Sequence, residues 1–183
     1  MKYDEALKLL KEHISRDWLR KHSIAVAAIM RGVAKHLGED EERFFLAGLL
    51  HDIDFERTEN QRNLHGALAA EMLKDRVDEE VIHAIKSHNF RYTGAKPKSV
   101  MDYALIASDA LSGLIVACAL VHPNKKLSEV RVESIAKKFK QKDFARGCDR
   151  ELIRYCEKIG IPLEQFFEIA LASLRAVADE LGL

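Results

Sequence analysis

The sequence predicts an all-α fold, and three observations carry that expectation. Ala, Leu, Glu, Lys and Arg dominate the 183 residues, and these are good helix formers. Only nine glycines and three prolines interrupt the chain. Within those segments apolar residues recur every three to four positions, and no stretch alternates with the period of two expected of a strand.

The elements follow in order. Tyr3 to Ile14 reads as a short amphipathic helix. Ser15 is placed to cap a second helix, about Asp17 to Leu37, which Gly38 ends. Glu41 to Asp52 is an apolar helix, followed by a polar loop from Ile53 to Asn63. Leu64 to Lys74 and Asp78 to His88 are two shorter helices, and Asn89 to Lys98 is a loop. Ser99 and Asp102 form a capping box at the start of a long apolar helix that His122-Pro123-Asn124 stops. Ser128 opens a Lys-rich helix, and Asp149 to Ile159 and Leu163 to Leu181 complete the chain. The whole is expected to form a single domain over 1–183.

Charge and cysteines limit the function classes. Lys plus Arg and Asp plus Glu are 29 each, so the formal net charge is zero. A neutral chain lacks the cationic surface that nonspecific nucleic-acid binding requires, so no nucleic-acid partner is expected. Cys118, Cys148 and Cys156 form no CxxC pair and are read as reduced thiols, which points to a cytoplasmic protein. The N-terminal segment has no apolar signal core, and the uncharged run Ala110 to Val121 is too short to span a bilayer, so no membrane partner is expected.

Ionisable residues stand where a core is expected. Leu19, His22, Val26, Ile29, Val33 and Leu37 share one helix face, so His22 points inward. His51 and Asp52 end the apolar run Phe44 to Leu50. Asp109 is the one charge between Tyr103 and Val121, with small neighbours Ser108, Ala110, Ser112 and Gly113. A buried carboxylate without a partner costs several kcal/mol, so Asp109 requires a cation or a set of donors. His65 shares a face with Ala69, Met72 and Leu73, and His88 continues the line of Val81 and Ile85, whereas His13, His36 and His83 are expected to be exposed. Each histidine alone is more often a structural core residue than a ligand. The set as a whole is a nitrogen and oxygen ligand supply suited to a divalent transition metal.

The order His22, then His51-Asp52, then Asp109, in the contexts "RKHSIAVA", "LAGLLHDID" and "ALIASDALSGLI", resembles the HD superfamily of phosphohydrolases. The resemblance covers Arg20 to about Val121 and implies an HD-domain helical bundle with its core over about 16–122 and a C-terminal helical extension over about 123–183. It also implies that these four residues bind metal, and that His65 and His88 stand where dinuclear members place two further histidines. The cofactor implied is one or two divalent ions, with iron, manganese, nickel and zinc all compatible. HDIG-type members commonly carry a small residue two positions after the signature Asp and a Lys next. Here those positions hold Asp54 and Phe55.

The function implied is hydrolysis of a phosphoester or phosphoanhydride of a small molecule, a nucleotide among the candidates, by metal-activated water. Asp52, Asp54 and Arg91 are the expected catalytic residues, Asp54 as an additional acid or base. Glu56 is a second candidate for that role, with loop solvation favoured for it. Lys86, Arg91 and Lys96 are expected to bind substrate, because Val81 to Met101 holds four cations and no acid, and Lys125, which follows the Asp109 helix, is expected to line the same mouth. The alternatives are a metal-binding regulatory module without turnover, and a helical interaction protein with a structural metal. The helical pair after Gly160-Ile161-Pro162 either closes the site or packs on a second copy of the chain.

Overall fold

The computed structural model describes residues 1–183, and it is helical throughout, with no strand. In chain order the helices are α1 (Tyr3–His13), α2 (Asp17–Leu37), α3 (Glu41–Leu50), α4 (Phe55–Thr58), α5 (Ala67–Leu73), α6 (Glu79–His88), α7 (Phe90–Thr93) and α8 (Val100–Leu120). After them come α9 (Val132–Lys140), α10 (Arg150–Ile153), α11 (Leu163–Ala176) and α12 (Ala178–Leu181). Single 3-10 segments fill Leu127–Glu129 and Arg154–Ile159. One hydrophobic core of 46 buried residues runs from Ala6 to Leu181, so the C-terminal helices share the core of the first eight.

Helix α2 is the central strut. It packs on α3 on one side and α11 on another, and α8 crosses it. The α2–α3 approach is close because Gly48 has no side chain. A Cβ there would lie 2.7 Å from the Ala27 Cα. Helix α8 begins at the expected capping box, with Ser99 Oγ accepting from the Asp102 amide and Asp102 accepting from the Ser99 amide. The helix runs 21 residues and is long and apolar enough to cross a bilayer by length and composition, although the uncharged run Ala110 to Val121 is shorter. Its most apolar window is 61% buried inside the protein, which makes it a core helix here.

Several local readings change. Ser15 does not cap α2. Its amide and hydroxyl, with the Arg16 amide, bind the Glu56 carboxylate, so a residue 40 positions away satisfies this helix start. Glu56 is therefore neither an acid–base group nor plain solvation. The supposed loop after Asp52 contains α4, and the helix expected over Leu163–Leu181 breaks at Val177. His83 is half-buried, its Nδ1 3.0 Å from the enclosed Asp102 carboxylate. In the extension, the Arg150 guanidinium donates to the carbonyls of Lys138, Phe139, Gln141, Phe144, Ala145 and Cys148, which organises that otherwise irregular segment.

Because α2 and α3 meet at Gly48, Gly48→Ala should destabilise the fold by about 1–3 kcal/mol through overpacking. Urea denaturation measures this, and an unchanged midpoint would show that the helices can separate at no cost.

Candidate metal centre

Four helices and one turn bring six side chains together. Helix α2 supplies His22, the end of α3 supplies His51 and Asp52, the turn before α5 supplies His65, α6 supplies His88 and α8 supplies Asp109. Asp52 is the hub. Its Oδ1 lies 3.3 Å from His51 Nε2, 3.2 Å from His65 Nε2 and 3.6 Å from His88 Nε2, and its Oδ2 lies 3.6 Å from His22 Nε2. Asp109 Oδ1 is 3.1 Å from His22 Nε2 and 3.7 Å from His51 Nε2. His22, His51 and Asp52 form one set able to hold an ion, and Asp52, His65 and His88 form another. All six expected ligands are thus in one place.

The ring orientations test whether the cluster fits a cation. His51 Nδ1 donates to the Gly48 carbonyl at 2.8 Å, and His88 Nδ1 donates to the Ile85 carbonyl. His65 Nδ1 is held by Asp54 Oδ1 at 2.8 Å. Ser112 Oγ donates to the Asp109 carbonyl, so it is left to accept from His22 Nδ1 at 3.3 Å. When neutral, each of the four imidazoles therefore turns a bare Nε2 toward the carboxylates. His51 is fully buried and its Nε2 makes no hydrogen bond. His65 and His88 aim their Nε2 atoms at each other, 3.0 Å apart. Lone pairs so arranged repel unless positive charge sits among them, and Nδ1 held by a carbonyl or carboxylate is the usual support of a metal-ligating histidine. The residues fit a divalent metal.

Titration behaviour points the same way. Burial lowers the His51 pKa, but the carboxylates of Asp52 and Asp109 more than offset it and push it up to about 9. Burial likewise opposes charge on His65, and Asp52 and Asp54 raise it to about 10. Burial alone would push the Asp52 and Asp109 carboxyls up. The imidazoles instead hold both below the usual carboxylate range, His51 leading at Asp52 and His22 at Asp109. The cluster demands positive charge and takes protons when nothing else supplies it.

Asp54 takes a different role from the one expected. It is fully buried, with Oδ1 on His65 and Oδ2 accepting from the amides of Gly66 and Ala69. Both oxygens are occupied and neither faces the cleft, so Asp54 positions His65 rather than exchanging protons with a substrate. Gly66 makes this possible. Its φ is +84°, and a Cβ there would lie 3.0 Å from the Ile85 carbonyl oxygen and 3.4 Å from the His88 ring.

A cleft of about 390 Å³ opens over the cluster, lined also by Trp18, Phe55, Asn89, Phe90, Arg91 and Leu152. Of the expected substrate-binding cations only Arg91 lines it, and Arg91 pairs with Asp149 at 2.9 Å. Lys86, Lys96 and Lys125 do not. Lys86 precedes the inward-facing His88 by two residues, which is roughly 200° around the helix. Lys96 lies beyond the start of α8, roughly 13 Å of helix from Asp109, and Lys125 lies beyond its end, roughly 16 Å away. Trp18 was missed, although it stands four residues before His22 and hence on the same face.

Metal ligation requires neutral imidazoles. Loading the metal-free protein near pH 7.5 should therefore expel protons, one from each of His51 and His65. Apparent affinity should rise with pH until about pH 9–10, where those groups are already neutral. The stabilisation that their protonated forms give the metal-free fold is complete below the unfolded value of about 6.5 and fades over the same upper range. Calorimetric titration in buffers of different ionisation heat measures the release, and binding without proton release would contradict this electrostatic picture.

The sequence profile of the HD domain matches residues 19–119, the stretch that carries all six clustered residues and ends at Ala119 near the close of α8. Ribonuclease Y of Lawsonia intracellularis is 36% identical over 94 residues, which is 51% of this chain and 18% of that protein. Ribonuclease Y of Desulfotalea psychrophila is 32% identical over 147 residues, 76% of this chain and 27% of that protein. The chain thus spans no more than about a quarter of these relatives. The crystal structure of the HD domain of the L. monocytogenes phosphodiesterase PgpH matches with a TM-score of 0.57 at 17% identity, covering 94% of this chain and 98% of that one, a likeness of fold. With the profile covering more than half of its length, this chain belongs to the HD-domain family.

Proposed function

We propose that this chain is a metal-dependent phosphohydrolase acting on a phosphoester of a small molecule, a nucleotide foremost. The observation that carries the reading is the convergence of four imidazole Nε2 atoms on the carboxylates of Asp52 and Asp109 at the floor of an open cleft. The names of its relatives, a ribonuclease and a phosphodiesterase, both denote cleavage of a phosphodiester.

His22, His51, Asp52 and Asp109 would hold one divalent ion, and His65 and His88 with Asp52 a second. Bound there, such ions supply Lewis acidity toward a phosphoryl oxygen and a water of lowered pKa. The remaining work belongs to the chain. Asp54 and Ser112 lock the tautomers of His65 and His22. Asn89 donates to the carbonyls of Arg62 and His65 and so pins the turn that carries His65. Arg91 is the one Lys or Arg lining the cleft, and its guanidinium matches phosphate oxygens once released from Asp149. Among lining residues outside the cluster, Tyr92 alone carries a transferable proton, on its phenolic oxygen.

The Arg91–Asp149 pair also supports a second reading, a ligand-binding module without turnover, because the cation that would meet phosphate is already engaged. Turnover separates the two. Metal-loaded protein should hydrolyse members of a phosphomonoester and phosphodiester panel. Asp52→Ala should lose both metal and activity, the latter by at least about 10²-fold. Asp54→Asn should weaken metal binding by about 10–100-fold while leaving the shape of the pH–rate profile unchanged, as a positioning role requires. No hydrolysis of any ester by fully loaded protein would leave the binding module standing.

A further inference from the structure

A second cavity of about 350 Å³ adjoins the metal cleft and shares Trp18 and His22 with it. The His22 Nε2 faces Asp109 and Asp52, and its Nδ1 bonds Ser112, which lines the second cavity. Trp18 lines both spaces and stands at their junction. The rest of the second wall is mainly aliphatic, from Ala25 on α2, Val116 and Leu120 on α8, and Leu181 and Leu183. Its polar groups are few: His22 and Ser112 bond each other, and Lys21 completes the lining.

Two of its side chains are unusually open for their size. Trp18 is 56% exposed and Leu120 is 49% exposed. The indole meets the Phe55 ring in a T-shaped contact, at 6.2 Å and 87°. On the other flank of the metal cleft the continuation is polar, with Thr58, Glu59 and Arg62 beside Phe55 and His65. The two flanks thus differ in chemistry. A volume of this size takes one aromatic ring system, and apolar carbon next to a phosphoryl site gains more from an apolar substituent than from water.

We infer that the cavity at Trp18 is the subsite for the apolar, aromatic portion of the substrate, whose phosphoryl group lies over the cluster. This rests on the phosphohydrolase reading and deepens it. The substrate class is an aryl- or base-bearing phosphate ester whose ring stacks on Trp18 and packs on Leu120. The polar flank faces the other side of the phosphate.

Trp18 is the sole tryptophan of the chain, so its emission reports occupancy of this subsite directly. The test titrates metal-loaded full-length protein with phenylphosphonate and, separately, with methylphosphonate, which present the same anion with and without a ring. Phenylphosphonate should change the indole emission saturably and bind at least about 10-fold more tightly than methylphosphonate. Leu120→Asp keeps the tryptophan, alters an exposed position, and should erase that preference. Equal affinities, no emission change with phenylphosphonate, or a preference that survives Leu120→Asp would each overturn the assignment. Hydrolysis plays no part in this readout. A chain that prefers phenylphosphonate yet cleaves no ester would refute the hydrolase reading and keep the subsite. A chain that cleaves esters yet binds both phosphonates alike would do the reverse.

Discussion

The carboxylates of Asp52 and Asp109, set among four imidazoles at the meeting point of α2, α3, α6 and α8, are the constraint on which the rest of the structure depends. Removing such charge from water costs several kcal/mol per ion unless positive charge is supplied at short range. In the metal-free protein protons meet that need, which is why burial fails to keep His51 and His65 neutral. The surroundings are organised around the same demand. Gly48 lets α3 approach α2 so that His51 meets His22, and Gly66 lets the chain turn so that Asp54 reaches His65 from behind.

The C-terminal helices enter the site as well as the core. Asp149 caps α10 through Oδ1 and holds Arg91 through Oδ2, and Leu152 on the same short helix forms part of the cleft wall. Leu181 and Leu183 line the cavity at Trp18. The segment beyond the HD-profile match therefore helps to shape both spaces in which a substrate would sit. That is where this chain's selectivity is expected to reside, since the ligand cluster itself comes from the matched segment.

Much of this was legible in the sequence because helical periodicity is a local property. One imidazole on an apolar face of α2, an apolar run ending in His51-Asp52 and one carboxylate inside α8 were enough to collect the cluster, and His65 and His88 joined it by the same spacing. What stayed hidden depended on distant or irregular backbone. Asp54 looked like a loop acid because a positive-φ glycine twelve residues later decides which way its carboxylate points. Glu56 looked solvated because its partners, the amides of Ser15 and Arg16, lie 40 residues upstream. Lys86, Lys96 and Lys125 looked like a basic mouth because counting charges along a segment ignores helix rotation and rise. Trp18 carried a usable signal, its spacing from His22, which an inventory restricted to ionisable residues passed over.

Metal content per chain, measured by elemental analysis on protein purified without a histidine tag or chelator, bears most directly on the cation-holding cluster. The proposed two-ion reading predicts about two equivalents of divalent metal, one for each ligand set that shares Asp52. Protein that holds none, even after anaerobic incubation with iron or manganese, would contradict it and leave the buried carboxylates to their protons alone.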